Sequence, residues 1–265
     1  MPDIHPTAIV YRSAALADTD RVGPYATIGA HVELADHCTV KQHAVVEGHT
    51  SVGEGTVIYP HACVGLPPQD LSYGGEPTRL VIGRKNVIRE HATLHTGTVK
   101  GRGVTTVGDS CLFMVNTHVA HDCTIGNSVI MANNAVMGGH VTIGDYAILG
   151  GNSAIQQFAR VGRHAMMGGM SASEADIIPY GLVIGVREGL SGLNLIGLRR
   201  RGYTRDQIHE LRRAYRLLFA AEGTLTERTN DVAEMFNGSA AVGEIVDIIR
   251  SQPTRTICQP PPTRG

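Results

Sequence analysis

The sequence predicts a parallel β-helix, a hexapeptide-repeat solenoid, closed by a small α-helical C-terminal domain. Three observations predict it. From Val107 to Ala172 an aliphatic residue or Phe opens every hexad: Val107, Phe113, Val119, Ile125, Met131, Met137, Ile143, Leu149, Ile155, Val161 and Met167. Gly often follows at once, and the fifth place is mostly Ala, Ser, Thr or Cys. A period of six fits neither the 3.6-residue stripe of a helix nor the alternation of a simple strand. It is the period of hexapeptide solenoids. Each hexad then forms one flat side of a triangular prism, with its first residue inward and its fifth kept small by the narrow interior. Three hexads, about 18 residues, complete a coil, and coils stack at roughly the strand spacing of 4.8 Å.

The repeat begins at the N-terminus, with Ile4, Val10, Leu16, Val22, Ile28, Leu34, Val40, Val46, Val52, Ile58 and Val64 in strict register. Residues 66–79 break it with Pro67, Pro68, Gly74, Gly75 and Pro77, a loop composition. Ile82 lies 18 residues beyond Val64, so the loop is expected to replace part of one coil and to project from one corner. A second loop, 96–106, carries Gly97, Gly101 and Gly103. Long excursions from a regular scaffold are often functional.

The solenoid is expected over 1–190 and the helical domain over 191–250. Thr204 and Gln207 form a capping box for a helix running to Glu222, with Ile208, Leu211, Tyr215 and Leu218 as its apolar stripe and Gly223 as its stop. Thr224 and Glu227 repeat the signal for a helix to about Phe236, and a third covers 240–250. Pro253 and Pro260–Pro262 mark 251–265 as a disordered tail. The helices are expected to cap the open end of the prism, where backbone groups are otherwise unpaired.

Composition excludes several classes. The net charge of −1 gives no bulk attraction to nucleic acid or anionic membranes. No apolar run reaches membrane-spanning length, and the repeat begins with no signal segment before it, so a cytoplasmic location is expected. The five Cys lack paired spacing, and packed thiols are expected rather than disulfides or metal ligands.

His118, His121 and His140 cluster around the central repeat. Positions 18 apart stack, so His121, Gly139 and Gln157 form one column on an outer face, and Asp122, His140 and Phe158 the next. The imidazole of His121 suits a general base. Gly139, one coil above, offers an N–H to an oxyanion with no Cβ in the way. Three His suffice for an open zinc site, but the spacing here is not that of the hexapeptide-repeat zinc hydratases, and no metal is expected.

Several longer runs are more specific: Val45–Thr50, Gln69-Asp70-Leu71, Tyr73–Arg79, His118–Thr124, Ala132–Ala135, Gly139-His140-Val141 and Gly197–Tyr203. On these runs the chain resembles the acyl-ACP:UDP-N-acetylglucosamine O-acyltransferase family of lipid A biosynthesis. The resemblance implies a left-handed parallel β-helix, a homotrimer with active sites between subunits, and transfer of a 3-hydroxyacyl group to the sugar 3-hydroxyl. The donor is the phosphopantetheine thioester of acyl carrier protein, and no other cofactor is implied. His121 takes the hydroxyl proton, Asp122 steadies the imidazolium and the Gly139 N–H holds the oxyanion. Gln69, Asp70, His118, His140 and Gln157 contact sugar or acyl chain. Asn194, Arg200 and Arg201 grip the nucleotide, and Gly169 floors the acyl pocket, its small size favouring a long chain. Ser72, Gln156, Arg187 and Ile196 depart from the family pattern, which leaves room for another UDP-sugar, for N-acylation of an amino sugar, or for a non-catalytic solenoid that binds the nucleotide sugar or the carrier. Arg199, Arg205, Arg212, Arg213 and Arg216 add a basic face suited to an acidic carrier protein.

Overall fold

The computed structural model describes residues 1–185, 189–251 and 255–261. Arg187 lies outside the described residues. Among the described residues the chain winds into a prism of three sheets, with eleven, nine and eight strands, parallel throughout except for the last strand of the eleven. Most strands have only two residues, and each pairs with the strands one coil below and above, as Thr124-Ile125 does with Thr106-Val107 and Thr142-Ile143. With the C-terminal helices, this is a left-handed parallel β-helix carrying a small helical part.

The predicted interior is the observed one. Phe113, Val119, Met131, Leu149 and Met167 have no solvent exposure. The fifth-place Ala135, Ala147, Ala159 and Ala165 are equally enclosed. Only the first coil departs, since nothing stacks beneath it, and Ile4 is exposed.

The corners follow a rule not read from the sequence. The fourth residue of nearly every hexad has a left-handed backbone: Asn116, Asp122, Ser128, Asn134, His140, Tyr146, Asn152 and His164 all have φ between 55° and 62°. Non-glycine residues rarely adopt this conformation, and Asn, Asp and His tolerate it best. Corner side chains stack in turn. Asn116, Asn134 and Asn152 form an amide ladder at 2.9 and 3.1 Å, and His43, His61 and His91 stack ring on ring.

The loops differ from expectation in register. Val52 pairs with Ile82 and Ile58 with Ile88, thirty residues apart instead of eighteen. The first loop is therefore a corner insertion that leaves all three walls of the coil complete, and it replaces none of them. The second loop is shorter than its glycines suggested, because residues 104–106 already belong to the strand Val104–Val107.

After the last regular coil, Gly181–Val183 pairs antiparallel with Leu190–Leu193, where irregular structure was expected. Four helices follow: α1 (Leu195–Arg200), α2 (Arg205–Leu218), α3 (Leu225–Met235) and α4 (Ala240–Arg250). Both capping boxes form as read. The first helix of the three expected ends at Leu218, short of Glu222, because the Arg228 guanidinium takes the Leu218 carbonyl at 2.7 Å and also binds those of Glu222 and Gly223.

Residues 255–261 are packed where disorder was expected over 251–265. Ile257 pairs with Asp176 as a parallel bridge. The Asp176 N–H donates to Thr256 O and the Cys258 N–H to Asp176 O, both at 2.8 Å. Ile257 and Cys258 are buried. The edge of the last coil supplies the partners that a Pro-rich tail lacks by itself.

Candidate active site

His121 follows the strand His118-Val119, at the corner between the nine- and eight-stranded sheets. Its Nδ1 lies 2.9 Å from Asp122 Oδ2, and the pair is almost wholly enclosed. The left-handed backbone at Asp122 turns consecutive side chains onto one another.

The second loop exists to hold this carboxylate. Thr98 donates its N–H at 3.0 Å and its hydroxyl at 2.7 Å to Oδ2, and Arg102 donates its N–H at 2.9 Å to Oδ1. Gly97 and Gly101 must lack side chains, because a Cβ at either would stand 2.8 Å or less from an Asp122 carboxylate atom. Burial is the largest single influence on Asp122 and works to raise its pKa, but the hydrogen bonds from Thr98, His121 and Arg102 together hold it below the usual carboxylate range. An ionised Asp122 accepting from Nδ1–H fixes the tautomer that leaves a lone pair on Nε2.

Gly139 covers the ring. A Cβ there would meet His121 Cε1 at 2.4 Å and Nε2 at 2.6 Å. Among the described residues its N–H donates to no protein acceptor, whereas its neighbours Gly138 and His140 donate to Ile155 O and His121 O. His140 packs edge-on against His121 and flat against Phe158. Gln157 lies half-buried one coil above Gly139, close enough that a Cβ on Gly138 would touch its backbone. The stacked column read from the sequence is thus present.

His118 donates or accepts at Nδ1 with Thr93 Oγ1 at 2.7 Å and meets the ring of His95 edge-on. Burial lowers the pKa of His118 and of His140, and takes His95 down to about 4, so these three rings are neutral at pH 7. The first loop reaches the same site. Asp70 feels the charge of His121 and of Lys100, after the larger effect of two hydrogen bonds from Ser72, and its pKa is lowered. Gln69 is exposed on that loop. Sequence reasoning missed His95, Thr98 and Thr105, whose hydroxyl takes the Asp122 N–H at 2.8 Å. Only the spacing of the second loop's glycines hinted at them.

His121, Asp122 and His140 place one potential metal ligand each within 4.8 Å of one another. Yet both carboxylate oxygens of Asp122 are already occupied by protein donors, an arrangement that orients an imidazole and leaves little for a cation.

The other expected residues lie elsewhere on the chain. Ile148, Met166, Leu182 and Leu193 on the outer face of the eleven-stranded sheet, with α1, enclose an apolar groove of about 780 Å³ rimmed by Arg200 and Arg201. Ile196 is exposed beside it. Arg201 stacks over the Tyr146 ring at 4.3 Å. Asn194 Oδ1 caps α1 through the Gly197 N–H at 3.0 Å, and its Nδ2 donates to His164 O at 2.9 Å, which ties the start of the helix carrying the arginines to the prism. Gly169 is exposed at the corner between the eleven- and nine-stranded sheets. In a triangular prism the eleven-stranded face lies opposite the corner that carries His121.

Known proteins resemble the chain in sequence and in fold. The family described as UDP N-acetylglucosamine O-acyltransferase, domain 2, matches residues 176–258, and that described as bacterial transferase hexapeptide matches 105–139. The acyl-[acyl-carrier-protein]–UDP-N-acetylglucosamine O-acyltransferase of Caulobacter vibrioides is 52% identical over 97% of this chain and 98% of its own. That of Methylobacterium radiotolerans is 66% identical over 77% and 75%. The solved UDP-N-acetylglucosamine O-acyltransferase (LpxA) of Moraxella catarrhalis superposes with a TM-score of 0.94 at 38% identity, covering 97% of this chain and 99% of that one. The chain belongs to the acyl-[acyl-carrier-protein]–UDP-N-acetylglucosamine O-acyltransferase family.

Proposed function

We propose that the protein transfers a 3-hydroxyacyl group from the phosphopantetheine thioester of acyl carrier protein to the 3-hydroxyl of UDP-N-acetylglucosamine, the first step of lipid A synthesis. The stack of Asp122, His121 and Gly139 carries this reading. His121 Nε2 removes the hydroxyl proton as the sugar oxygen attacks the thioester carbonyl. Asp122 stabilises the imidazolium. The Gly139 N–H faces the oxyanion of the tetrahedral intermediate. On collapse the C–S bond breaks and the imidazolium returns its proton to the departing thiolate, leaving ester and free carrier thiol. Asp70, Gln69, His118, His140 and Gln157 surround the sugar and the proximal acyl chain.

The nucleotide-binding residues lie on the opposite face of the prism, so a complete site needs the groove of a neighbouring copy. A homotrimer supplies three such pairings with closed symmetry. Arg200 and Arg201 then meet the nucleotide, the apolar groove takes acyl chain, and Gly169 leaves its far end open. The basic face of α2, including Arg205, His209 and Arg212, suits an acidic carrier. Among the described residues no helix is long and apolar enough to cross a membrane, and we place the reaction in the cytoplasm.

The test is thioester release from a mixed acyl-carrier pool with a panel of UDP-sugars, read by mass spectrometry of the product. An O-acylated UDP-N-acetylglucosamine supports the reading. An amide product, or release with no UDP-sugar consumed, overturns it.

A further inference from the structure

The two loops at the site are unequal in charge. The first, between Leu66 and Arg79, contains no Lys or Arg. The hydroxyl and N–H of Ser72 are both spent on Asp70 Oδ1, at 2.8 and 2.7 Å. The second, between His95 and Val104, carries Lys100 and Arg102, both exposed. Arg102 is tethered to the reacting groups by its own backbone. Its N–H donates to Asp122 Oδ1 at 2.9 Å, and the other oxygen of that carboxylate lies 2.9 Å from the His121 ring. The turn that presents Lys100 is closed by the Gly101 and Gly103 N–H groups on Thr98 O, at 3.1 and 2.9 Å. Among the described residues the guanidinium of Arg102 makes only long contacts, 3.3 Å to Val104 O and 3.4 Å to Thr106 Oγ1. Beside them stand the carboxylates of Asp70 and Asp122, and burial lowers the pKa of the surrounding His95, His118 and His140 rings.

We propose that Lys100 and Arg102 bind the sugar-linked phosphate of the acceptor, so that the second loop both clamps the catalytic Asp122 and adds positive charge beside it. This rests on the acyl-transfer reading above. The geometry selects the acceptor over the donor. In a hexose 1-diphosphate the attacked hydroxyl and the phosphate hang on one pyranose ring. The donor's phosphodiester is separated from its thioester by the whole pantetheine arm. Cations carried on a loop whose backbone binds Asp122 therefore meet the acceptor's phosphate, and two such groups form strong charge-assisted bonds to it. Lys100 adds to this by helping to lower the pKa of Asp70, after the larger effect of the Ser72 hydrogen bonds.

The double variant Lys100→Ala/Arg102→Ala tests this, because its backbone N–H groups, and hence the Asp122 clamp, are retained. KM for UDP-N-acetylglucosamine should rise about tenfold with KM for acyl carrier unchanged. Inhibition by N-acetylglucosamine 1-phosphate, which keeps this phosphate and lacks the uridine, should weaken by a similar factor, and Lys100→Arg/Arg102→Lys should restore both. An unchanged acceptor KM, or a rise confined to the carrier, overturns the assignment while leaving acyl transfer standing. A wild-type protein that neither releases thioester nor binds UDP-N-acetylglucosamine removes the acyl-transfer reading, and this assignment with it.

Discussion

Gly139 lies so close over the His121 imidazole that a Cβ at position 139 would stand 2.4 Å from Cε1. The neighbour is a ring held by Asp122 and packed against His140, so it cannot swing aside cheaply. Gly139→Ala is expected to displace the imidazole and to lower kcat by about a hundredfold or more. Because Gly139, His121 and Asp122 are all buried, the melting temperature of the variant is measured beside its kcat, which separates a displaced ring from a lost fold. Near-normal turnover in this variant would show that the amide at 139 does not face the reacting carbonyl.

Thr98 reaches the reaction only through Asp122. Thr98→Val removes the 2.7 Å hydroxyl bond to Asp122, together with the 3.1 Å bond that the same oxygen accepts from the Gly101 N–H, and keeps the Thr98 N–H. One charge-assisted hydrogen bond of roughly 1.5–3 kcal/mol is lost, and kcat should fall about tenfold with both KM values unchanged. Thr98→Ser should recover most of the rate. A loss shared by the serine variant would point to packing of the methyl group instead of the hydrogen bond.

Acid stability reports the enclosed histidines. Burial takes His95 and His164 down to about 4. His118 and His121 add repulsion at the first, and Arg163 and Arg201 at the second, with Asp145 opposing. The unfolded chain then binds protons that the folded chain refuses between about pH 6.5 and 4. Their contribution to stability is complete above pH 6.5 and is lost as pH falls through this window. The thermal midpoint should drop across it. His95→Gln/His164→Gln, though less stable at pH 7, should show a flatter profile over the same range. Identical slopes would place the acid sensitivity in other groups.

The periodic part of the fold was legible because each hexad is a local statement: an aliphatic residue inward, a small one in the fifth place, nothing long-range required. The helix caps were legible for the same reason. The register across the first loop was not, since a corner insertion of any length leaves the walls unchanged, and Val52 finds Ile82 only by stacking. The column of His121, Gly139 and Gln157 could be drawn because it lies in an uninterrupted run of eighteens. The grip of Thr98 and Arg102 on Asp122 crosses an insertion and has no period. The C-terminal return was hidden by its prolines, although Asp176, fully buried with Arg160 at 2.7 Å, marks where it docks.

That docking makes its own prediction. Asp176 binds Arg160 by side chain and backbone, and Arg160 in turn donates to Ile248 O on α4 and to Oγ of Ser251 at its C-terminal cap. Asp176→Ala leaves a guanidinium without its enclosed partner and should cost roughly 3 kcal/mol of stability. Hydrogen exchange should quicken in α4 and in residues 255–261 before the central coils respond. Uniform loss of protection along the prism would mean that the helical part and the solenoid unfold as one unit.

The separation of His121 from Arg200 and Arg201 on opposite faces of one prism gives the most direct test of shared sites. His121→Ala and Arg200→Ala/Arg201→Ala should each be nearly inactive alone, for different reasons: one lacks the base, the other the nucleotide grip. Co-expressed in equal amounts, they should assemble into mixed trimers in which about a quarter of the interfaces pair an intact base with intact arginines. Activity should return toward about a quarter of wild type, and separately purified proteins combined without subunit exchange should stay inactive. If mixed trimers form and no activity returns, each site draws its base and its arginines from the same chain, and the groove on the eleven-stranded sheet must serve some other ligand.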